Sequence, residues 1–564
     1  MSEPYPAIES ETRARLIERY QTIDGRAMRR LTEAALQWLR TNQEIVNSLN
    51  VFPVPDGDTG TNMVLTMQAA WDEIASQGER SIGKLAKSIA HGALMGARGN
   101  SGVILSQLWR GFARTLDDHP VMDVELFVES LAEARETAYK GVVRPVEGTI
   151  LTVSSDIAIA AKEAMQNGAS SFLEILEIVV KAADESVQRT PDLLPVLKEA
   201  GVVDSGGLGL YFILDGMLRA VYRLPLDQAL ATVVPLSELK LDDAMDSIEP
   251  GQDWEVVIDF RPRGELDLKG FYEKLEKMGT SIQMGEGDGI YRMHIHVPDT
   301  KEFEPIECTR KLGTITNISI ENLMIQVEDQ AQHPAGAHPR LATVEAGEIA
   351  AIIVSPGPGI SNVFASLGAA AIVEGGQTMN PSTREILDAI DSLPTDKIVI
   401  LPNNKNIYMA ACQATELTVK DAVVIPSVSI PQGVSALLAL EPDKDLEYTQ
   451  KAMTRALEDI QFGELTVATR SVTIDDVVVQ EGQVIGLLNG RLAVSGDDLS
   501  DSLIGLLTIG KVEEAELVTL YSGVDLPMIQ ANQIADRVQE IWPGIEVELV
   551  EGGQPHYQII FSIE

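Results

Sequence analysis

The sequence predicts a multidomain protein: an all-α domain of antiparallel helices, then a small α+β domain, then an α/β domain with a parallel sheet and an α+β end. Three observations predict it. Up to residue 223, apolar residues recur at helical spacing and almost nothing resembles a strand. From WEVVIDF (254–260) onward, strands alternate with helices. From Thr343, continuous apolar strands precede Gly/Asn/Pro-rich loops and helices, which is typical of a parallel sheet covered on both faces.

Composition restricts the class of protein. The 564 residues predict about three to four domains. The formal net charge of −40 argues against broad nucleic-acid binding and against a polybasic membrane surface. A phosphate ligand would therefore need metal ions and local cations to screen it.

The cysteines and the apolar runs indicate in which cellular compartment the protein is expected. Cys308 and Cys412 form no CxxC pair, which fits a reducing compartment. The N-terminus has no apolar core of the kind found in signal peptides. No apolar run approaches the roughly 20 residues of a membrane span. We therefore expect a cytoplasmic protein with no integral membrane segment.

Two linkers divide the predicted chain. The first is acidic and contains proline, and the second is rich in Pro, Ala, Gly and His. The predicted segments are a polar leader (1–22), the helical domain (23–223), a linker (224–250), the middle α+β domain (251–330), a linker (331–342) and the C-terminal domain (343–564).

The most distinctive stretch is NSLNVFPVPDGDTGTNM (47–63), in which one glycine separates Asp56 from Asp58. Thr59 and Asn62 add short polar side chains where a predicted helix begins. Carboxylates at a helix entrance suit a hard cation such as Mg²⁺ with its bound phosphates. The same residues also form ordinary turns and helix caps, so the spacing alone leaves both interpretations open.

Three further polar loops open predicted helices: GARGNSGVI (96–104), RPVEGTILTV (144–153) and GVVDSGGLGL (201–210). A glycine-rich turn before a helix can hold an anion through backbone N–H groups. A plain structural role is the alternative for each loop taken alone. Antiparallel helices bring alternate loops to the same end of a bundle, so several such loops together with Asp56 and Asp58 indicate a shared site.

Two features stand out beyond the helical domain. His294 and His296 lie at i, i+2 on a predicted strand and share a face. They suit a metal or phosphate ligand, and a surface pair without a role is the alternative. In parallel sheets, sites lie beyond the carboxyl ends of the strands. That rule places four loops on one edge: SPGPG (355–359), GGQTMNPST (375–383), LPNNKN (401–406) and PSVSIPQG (426–433).

These motifs, from about residue 24 to 564, resemble bacterial fatty acid kinase catalytic subunits, which are dihydroxyacetone kinase-like proteins with a DhaL (DAK2) domain. The resemblance implies a barrel of antiparallel helices that holds ATP with two Mg²⁺ ions at one rim. It implies transfer of the γ-phosphate to a fatty acid carboxylate that a separate fatty-acid-binding protein presents. The product would be an acyl-phosphate for phospholipid synthesis.

The resemblance also implies residue roles. Asp56 and Asp58 would bind the metals. Where the dihydroxyacetone kinase version has a third aspartate, this chain has Asn47 or Asn50, of which Asn50 is favoured. Arg98 would offset charge on the transferred phosphoryl group. The remaining implied ligands of ATP are Thr59 and Asn62 near the phosphates, Gly99, Asn100, Ser101 and Gly102 around them, and Thr149 and Asp204 nearer the nucleoside.

The middle domain departs from the family pattern. The family commonly has a cysteine in the first strand of this domain, which is thought to act with two histidines. Here the position holds Val257, although His294 and His296 remain. Either the histidines have another role or a residue such as Asp259 substitutes for the cysteine. The family further implies a homodimer and a C-terminal domain that docks the acyl-binding partner, for which the edge loops are our candidates.

Two other functions remain to be tested. A dihydroxyacetone (glycerone) kinase-type phosphotransferase would need a subunit that holds the triose covalently through a histidine, and this chain has no region equivalent to it. A non-catalytic nucleotide-binding regulator would have no use for both carboxylates, Asp56 and Asp58. Acyl-chain preference is expected to belong to the partner.

Overall fold

The computed structural model describes residues 10–50, 57–142, 145–226, 234–235, 254–263, 271, 274–275, 277–287, 290–298, 301, 303–322, 341–377, 379–468, 472–474 and 477–564. The chain forms two compact units. One combines Met1–Ala229 with Pro339–Glu564, and the other is Leu230–His338. The segment boundaries predicted above stay predictions.

The N-terminal region is helical, as predicted. From α2 to α9, consecutive helices pack against each other, and α11 packs on α9 and returns to α2, which closes the ring. One short antiparallel pair, β1 with β2, joins the loops at its edge. The elements are α1 Ser10–Arg19, β1 Ile23–Asp24, α2 Gly25–Thr41, α3 Gln43–Ser48, α4 Thr59–Ala75, α5 Ile82–Met95, α6 Gly99–Thr115, β2 Val121–Met122, α7 Val124–Lys140, α8 Ile150–Gln166, α9 Phe172–Leu193, α10 Pro195–Ala200 and α11 Ser205–Tyr222.

Helix α2 shows why the ring closes. Asp24 caps the helix by accepting a hydrogen bond from the backbone N–H of Ala27 at 2.8 Å. The apolar residues at helical spacing form one buried face, namely Met28, Leu31, Ala35, Leu36 and Leu39. Among the residues that the structure describes, none of the helices combines the length and apolarity that a membrane span needs.

The second unit contains one five-stranded sheet in the order β3-β5-β6-β4-β7. Strands β5 and β6 form the predicted antiparallel hairpin. The backbone of His294 pairs with Val257, and that of His296 with Glu255. The side chains of His294 and His296 lie outside the described part of the chain, so their role stays a prediction. The elements are β3 Val234–Pro235, β4 Trp254–Pro262, β5 Thr280–Gly287, β6 Ile290–Val297, α12 Glu304–Leu312 and β7 Gly313–Asn322.

The C-terminal region begins with a four-stranded parallel sheet in the order β11-β10-β8-β9. Residues of β8 alternate between two apolar cores: Ile349, Ala351 and Ile353 face one, and Ile352 and Val354 face the other. The predicted sheet covered on both faces is therefore confirmed. The elements are β8 Ile349–Ser355, α13 Pro358–Ser366, β9 Ala371–Glu374, α14 Thr383–Ser392, β10 Lys397–Leu401, α15 Tyr408–Leu417, β11 Asp421–Val424, α16 Ile430–Leu438 and α17 Leu446–Ala456.

A six-stranded mixed sheet with two helices follows, which confirms the predicted α+β end. Its order is β16-β15-β12-β19-β17-β18, and β17 with β18 is the parallel pair. A short hairpin, β13 with β14, is a separate sheet. The elements are β12 Gln461–Val467, β13 Val472–Ile474, β14 Val477–Val479, β15 Val484–Leu488, β16 Arg491–Gly496, α18 Leu499–Ile509, β17 Leu517–Ser522, α19 Met528–Ile541, β18 Glu546–Glu551 and β19 Ile559–Ile563.

The helical region and the parallel sheet share a core. Ala97 and Val103, at the start of α6, are buried in the same cluster as Ile352 and Val354 of β8. The backbone N–H of Thr383 also donates to the carbonyl oxygen of Ala97 at 3.2 Å. This packing brings the loops beyond the parallel strands against one end of the helical ring.

The close approach of α11 to α2 gives a stability prediction. A Cβ at Gly216 would lie 2.8 Å from the carbonyl oxygen of Ala34 and 2.8 Å from Cβ of Trp38. We expect Gly216→Ala to lower the free energy of unfolding by about 1–3 kcal/mol, because the two helices must separate. Urea denaturation measures it.

Gly78 supplies the matched control, since a Cβ there meets no atom within 4 Å. Gly78→Ala should leave stability within about 0.5 kcal/mol of wild type. Equal effects of the two substitutions would contradict the close packing of α2 and α11.

Candidate functional site

Four helices begin at the four polar loops that the sequence singles out. Their N-cap residues are Asp58 for α4, Arg98 for α6, Thr149 for α8 and Asp204 for α11. The loops therefore have the predicted local structure. Whether they meet depends on contacts between the helices.

Contacts at the helix starts join α4 to its neighbours. Ser205 Oγ of α11 lies 3.3 Å from Thr59 Oγ1 of α4, within hydrogen-bond distance. At the start of α6, a Cβ on Gly99 would lie 2.5 Å from Asn62 Nδ2 of α4. Gly99 also has a φ of +56°, which a glycine adopts without strain. The starts of α4, α6 and α11 thus lie together.

Asp204 joins α8 to the same end. Its carboxylate accepts hydrogen bonds from the backbone N–H of Gly207 at 2.6 Å and from that of Ile150, the first residue of α8. Burial raises the pKa of Asp204 to about 6, although these two hydrogen bonds act in the opposite direction. The site thus contains a carboxyl group that is costly to ionise.

The helix starts bring partial positive charges to one place in a strongly acidic chain. A helix N-terminus carries about half a positive charge on its unpaired N–H groups. Four such ends lie together here, whereas the chain as a whole has a formal net charge of −40. The arrangement suits a phosphate-bearing ligand.

Asp58 is the described member of the predicted carboxylate pair, since Asp56 lies outside the described residues. Its side chain makes no capping hydrogen bond to α4, although Asp58 occupies the N-cap position. It is 6% exposed, and one of its oxygens, Oδ2, accepts a hydrogen bond from Asn380 Nδ2 at 2.5 Å. The buried carboxylate therefore faces the C-terminal region rather than its own helix.

Asn47 and Asn50 are the two candidate metal ligands that precede Asp56. The side chain of Asn47 already makes two hydrogen bonds to the first turn of α4. Its Nδ2 donates to Thr61 Oγ1 at 3.1 Å, and its Oδ1 accepts from the backbone N–H of Thr61 at 3.1 Å. The backbone N–H of Asn50 donates to the carbonyl oxygen of Asn47 at 3.1 Å. The choice of Asn50 as metal ligand stays a prediction.

Arg98 is held by the C-terminal region. One guanidinium nitrogen donates to the backbone carbonyl of Asn380 at 2.9 Å, and a second lies 3.2 Å from a carboxylate oxygen of Glu385. Its predicted role toward a transferred phosphoryl group stays a prediction. The structure adds a role in fastening α6 to the loop before α14.

The remaining predicted ligands have structural contacts as well. Asn100 Nδ2 donates to Asn406 Oδ1 at 3.2 Å, across to the loop after β10. A Cβ on Gly102 would collide with Thr66 of α4, so this glycine permits close helix packing. Ser101 is partly buried at the start of α6. Thr149 Oγ1 accepts from the backbone N–H of Leu151 at 3.3 Å and caps α8.

Asn380 is the site residue that sequence reasoning missed. It is 2% exposed, and its Oδ1 has no hydrogen-bond partner. An unpaired buried polar atom of this kind costs about 1–3 kcal/mol. Its motif, GGQTMNPST (375–383), lies at the predicted sheet edge, where the sequence predicts only partner docking. The structure puts it beside Asp58.

Oxygen donors at this position fit a hard divalent cation. The carboxylate of Asp58 and the unpaired amide oxygen of Asn380 are ligand types that Mg²⁺ accepts. Within the described ranges, no group of three or more His, Cys, Asp and Glu residues is arranged to hold a metal.

Comparison with protein families gives three matches along the chain. A DAK2 domain matches residues 53–219. The middle domain of the FakA-like fatty acid kinase proteins matches residues 250–330, and their C-terminal domain matches residues 350–564. The chain belongs to the FakA-like fatty acid kinase family. The resemblance inferred from the motifs is confirmed, and because the matched families are kinases, the chain belongs to a phosphotransferase family.

The relatives of this FakA-like chain match nearly all of its length. An uncharacterized protein of Staphylococcus aureus strain USA300 is 38% identical over 553 residues, covering 96% of this chain and 99% of the relative. An uncharacterized protein of Staphylococcus epidermidis is 38% identical over 552 residues, with the same coverage. These relatives support the family assignment and carry no functional description.

Solved structures give partial similarities. A DegV family protein of Corynebacterium glutamicum is 15% identical, with 38% of this chain and 96% of that chain covered and a TM-score of 0.31. The fatty acid kinase (Fak) B3 protein of Streptococcus pneumoniae, solved with linoleic acid, is 12% identical, with 33% and 76% covered and a TM-score of 0.25. Scores this low do not establish a shared fold.

The carboxyl group of Asp204 gives a pH prediction. The pKa of Asp204 is raised to about 6 in the fold, above its ordinary value of 3.8, so its contribution to stability is present below about pH 4 and is lost as the pH rises through 6. Asp204→Asn removes this titration. Relative to wild type, the variant should gain on the order of 1–3 kcal/mol of stability between pH 4 and pH 8.

Urea denaturation at pH 4, 6 and 8 measures the difference. If the substitution only altered a hydrogen bond, the free energies of unfolding of the two proteins would differ by the same amount at every pH. Parallel stability curves across this range would therefore contradict the raised pKa of Asp204.

Proposed function

We propose that the chain is an ATP- and Mg²⁺-dependent kinase that transfers the γ-phosphate of ATP to the carboxylate of a fatty acid. A separate acyl-binding protein would present the fatty acid, and the acyl-phosphate would serve phospholipid synthesis in the cytoplasm. The observation that carries this proposal is the convergence of four helix starts around the buried carboxylate of Asp58. Phosphoryl transfer depends mainly on positioning and on charge stabilisation, which such a site supplies.

The residues divide the task of binding ATP. Asp56, Asp58 and Asn50 would hold the Mg²⁺ ions, which neutralise charge on the phosphates when bound. The N–H groups at the starts of α4 and α6 would hold the phosphate oxygens. The other proposed contacts are Thr59 and Asn62 on α4, residues 99–102 on α6, and Thr149 and Asp204 on the nucleoside side.

The reaction needs no strong general base. A fatty acid carboxylate is already ionised at pH 7. One of its oxygens forms a bond to the γ-phosphorus, the bond to the bridging oxygen breaks, and ADP leaves with that electron pair. Arg98 would stabilise the developing charge, which requires that it share or release its contact with Glu385.

The acyl-binding partner would dock on the sheet-edge loops beside the rim. Met379, next to Asn380, is 64% exposed, and Val428 on a neighbouring edge loop is 43% exposed. Exposed apolar side chains at the edge of a polar site suit a protein contact. Docking there would bring the carboxylate to the phosphates while the acyl chain stays in the partner.

The direct test is to incubate the protein with ATP, Mg²⁺ and oleate, with and without a purified fatty-acid-binding partner, and to measure acyl-phosphate. We expect product only when the partner is present. Tight ATP binding without product from any partner would favour a non-catalytic regulator. Transfer to dihydroxyacetone would favour a glycerone kinase-type enzyme.

The carboxylates give a prediction for mutants. Asp58→Ala and Asp56→Ala should each lower turnover on the order of 100-fold or more, because charge on the phosphates is no longer neutralised. Circular dichroism should show that both variants stay folded.

Asp72→Ala is the matched control, since this aspartate is exposed on α4, the helix that begins directly after Asp58. It should keep the turnover of wild type. Retained activity in Asp56→Ala or in Asp58→Ala would contradict the assignment of that carboxylate to the metal site.

A further inference from the structure

The loop between β9 and α14 reaches from the C-terminal region to the helix starts. Asn380 on this loop donates through Nδ2 to Asp58 Oδ2 at 2.5 Å, across a sequence separation of 322 residues. Both residues are nearly fully buried, and this hydrogen bond joins the side chain of the predicted metal ligand to a different region of the chain.

Only half of the Asn380 amide has a partner. Nδ2 is used by Asp58, whereas Oδ1 is buried without a hydrogen bond. Reversing the amide would set its oxygen against a carboxylate, so the chemistry fixes which atom faces Asp58. Native proteins rarely leave such an oxygen unpaired. A purely structural link between the two regions accounts for Nδ2 and leaves Oδ1 unexplained.

Covalent geometry keeps the unpaired oxygen near the carboxylate. The amide oxygen and nitrogen share one carbon, at about 1.2 and 1.3 Å, so Oδ1 lies within about 5 Å of Asp58 Oδ2. Two ligands of one Mg²⁺, each at about 2.0–2.1 Å, are at most about 4.2 Å apart. Binding of one cation by Asn380 Oδ1 and an Asp58 oxygen therefore needs at most a small adjustment.

The backbone of the loop is fixed on both sides of this contact. Arg98 donates to the carbonyl oxygen of Asn380, and Thr383 donates through its N–H to Ala97. A capping box between Ser382 and Glu385 secures the start of α14. The Asn380 side chain is therefore held in place before any ligand arrives, as a binding residue should be.

We propose that the nucleotide site is composite and that Asn380 Oδ1 binds the divalent cation held by Asp58. This inference rests on the proposed function, since it assigns the cation of that site. A neutral amide oxygen adds a ligand without adding negative charge to a chain whose net charge is already −40. The C-terminal region is then part of the kinase site as well as a candidate docking surface.

The test is Mn²⁺ binding to the full chain, with and without ATP, measured by electron paramagnetic resonance. Asn380→Ala should weaken Mn²⁺ binding by about tenfold or more. Gln413→Ala is the matched control, because Gln413 Nε2 of α15 also bonds across the same junction, to Ser106 Oγ of α6 at 3.4 Å, away from Asp58. It should leave the Mn²⁺ affinity unchanged.

Asn380→Asp provides a second signature if the alanine variant folds poorly. A carboxylate at this position would face that of Asp58. Because like charges repel, the melting temperature of the metal-free variant should be lower than that of metal-free wild type. Saturating Mn²⁺ should restore the melting temperature to that of wild type. A structural contact alone would give a loss that Mn²⁺ does not reverse.

The outcomes separate this inference from the proposed function. Unchanged Mn²⁺ affinity in Asn380→Ala, with a loss of stability similar to that of Gln413→Ala, would overturn the assignment of Asn380. Weakened Mn²⁺ binding in Asn380→Ala, with no acyl-phosphate from any partner, would overturn the fatty acid kinase and leave the cation ligand standing. Failure of the wild-type chain to bind Mn²⁺ with ATP would overturn both.

Discussion

The constraint on which the site depends is electrostatic: a chain with a net charge of −40 must assemble local positive charge wherever it binds phosphates. Four helix N-termini supply that charge without adding cationic side chains. They can meet only if alternate helices of the ring begin at the same end, which the closed ring of α2–α11 permits. Gly99 then lets α6 approach Asn62 of α4 at the point where the helices meet.

The helical region contacts the parallel sheet at the same end at which these helices begin. Ala97 and Val103 at the start of α6 belong to the apolar core of the sheet. The rim is thus formed by two regions that lie far apart in sequence, and Arg98 and Asn380 join them through hydrogen bonds. A junction of this kind would couple the proposed nucleotide site to the loops on which a partner protein would dock.

Much of the fold was predictable because it depends on local periodicity. The buried face of α2 and the strands that alternate between two cores, such as β8, follow from apolar spacing. The bond between Asp58 and Asn380 was not predictable, because local patterns carry no information on how distant regions pack. For the same reason the sequence missed the pairing of Arg98 with Glu385. The role of the histidine pair in β6 stays a prediction, because their side chains lie outside the described part of the chain.

Hydrogen–deuterium exchange of the full chain, with and without Mg²⁺ and a non-hydrolysable ATP analogue, tests most directly whether the two regions form one nucleotide site. The account predicts slower exchange upon ligand binding at the starts of α4, α6 and α11 and, in the same experiment, in peptides that contain Asn380. Protection of the helical region alone, with the Asn380 loop unchanged, would contradict a site shared by the two regions. Protection confined to segments away from the rim would contradict the nucleotide site itself.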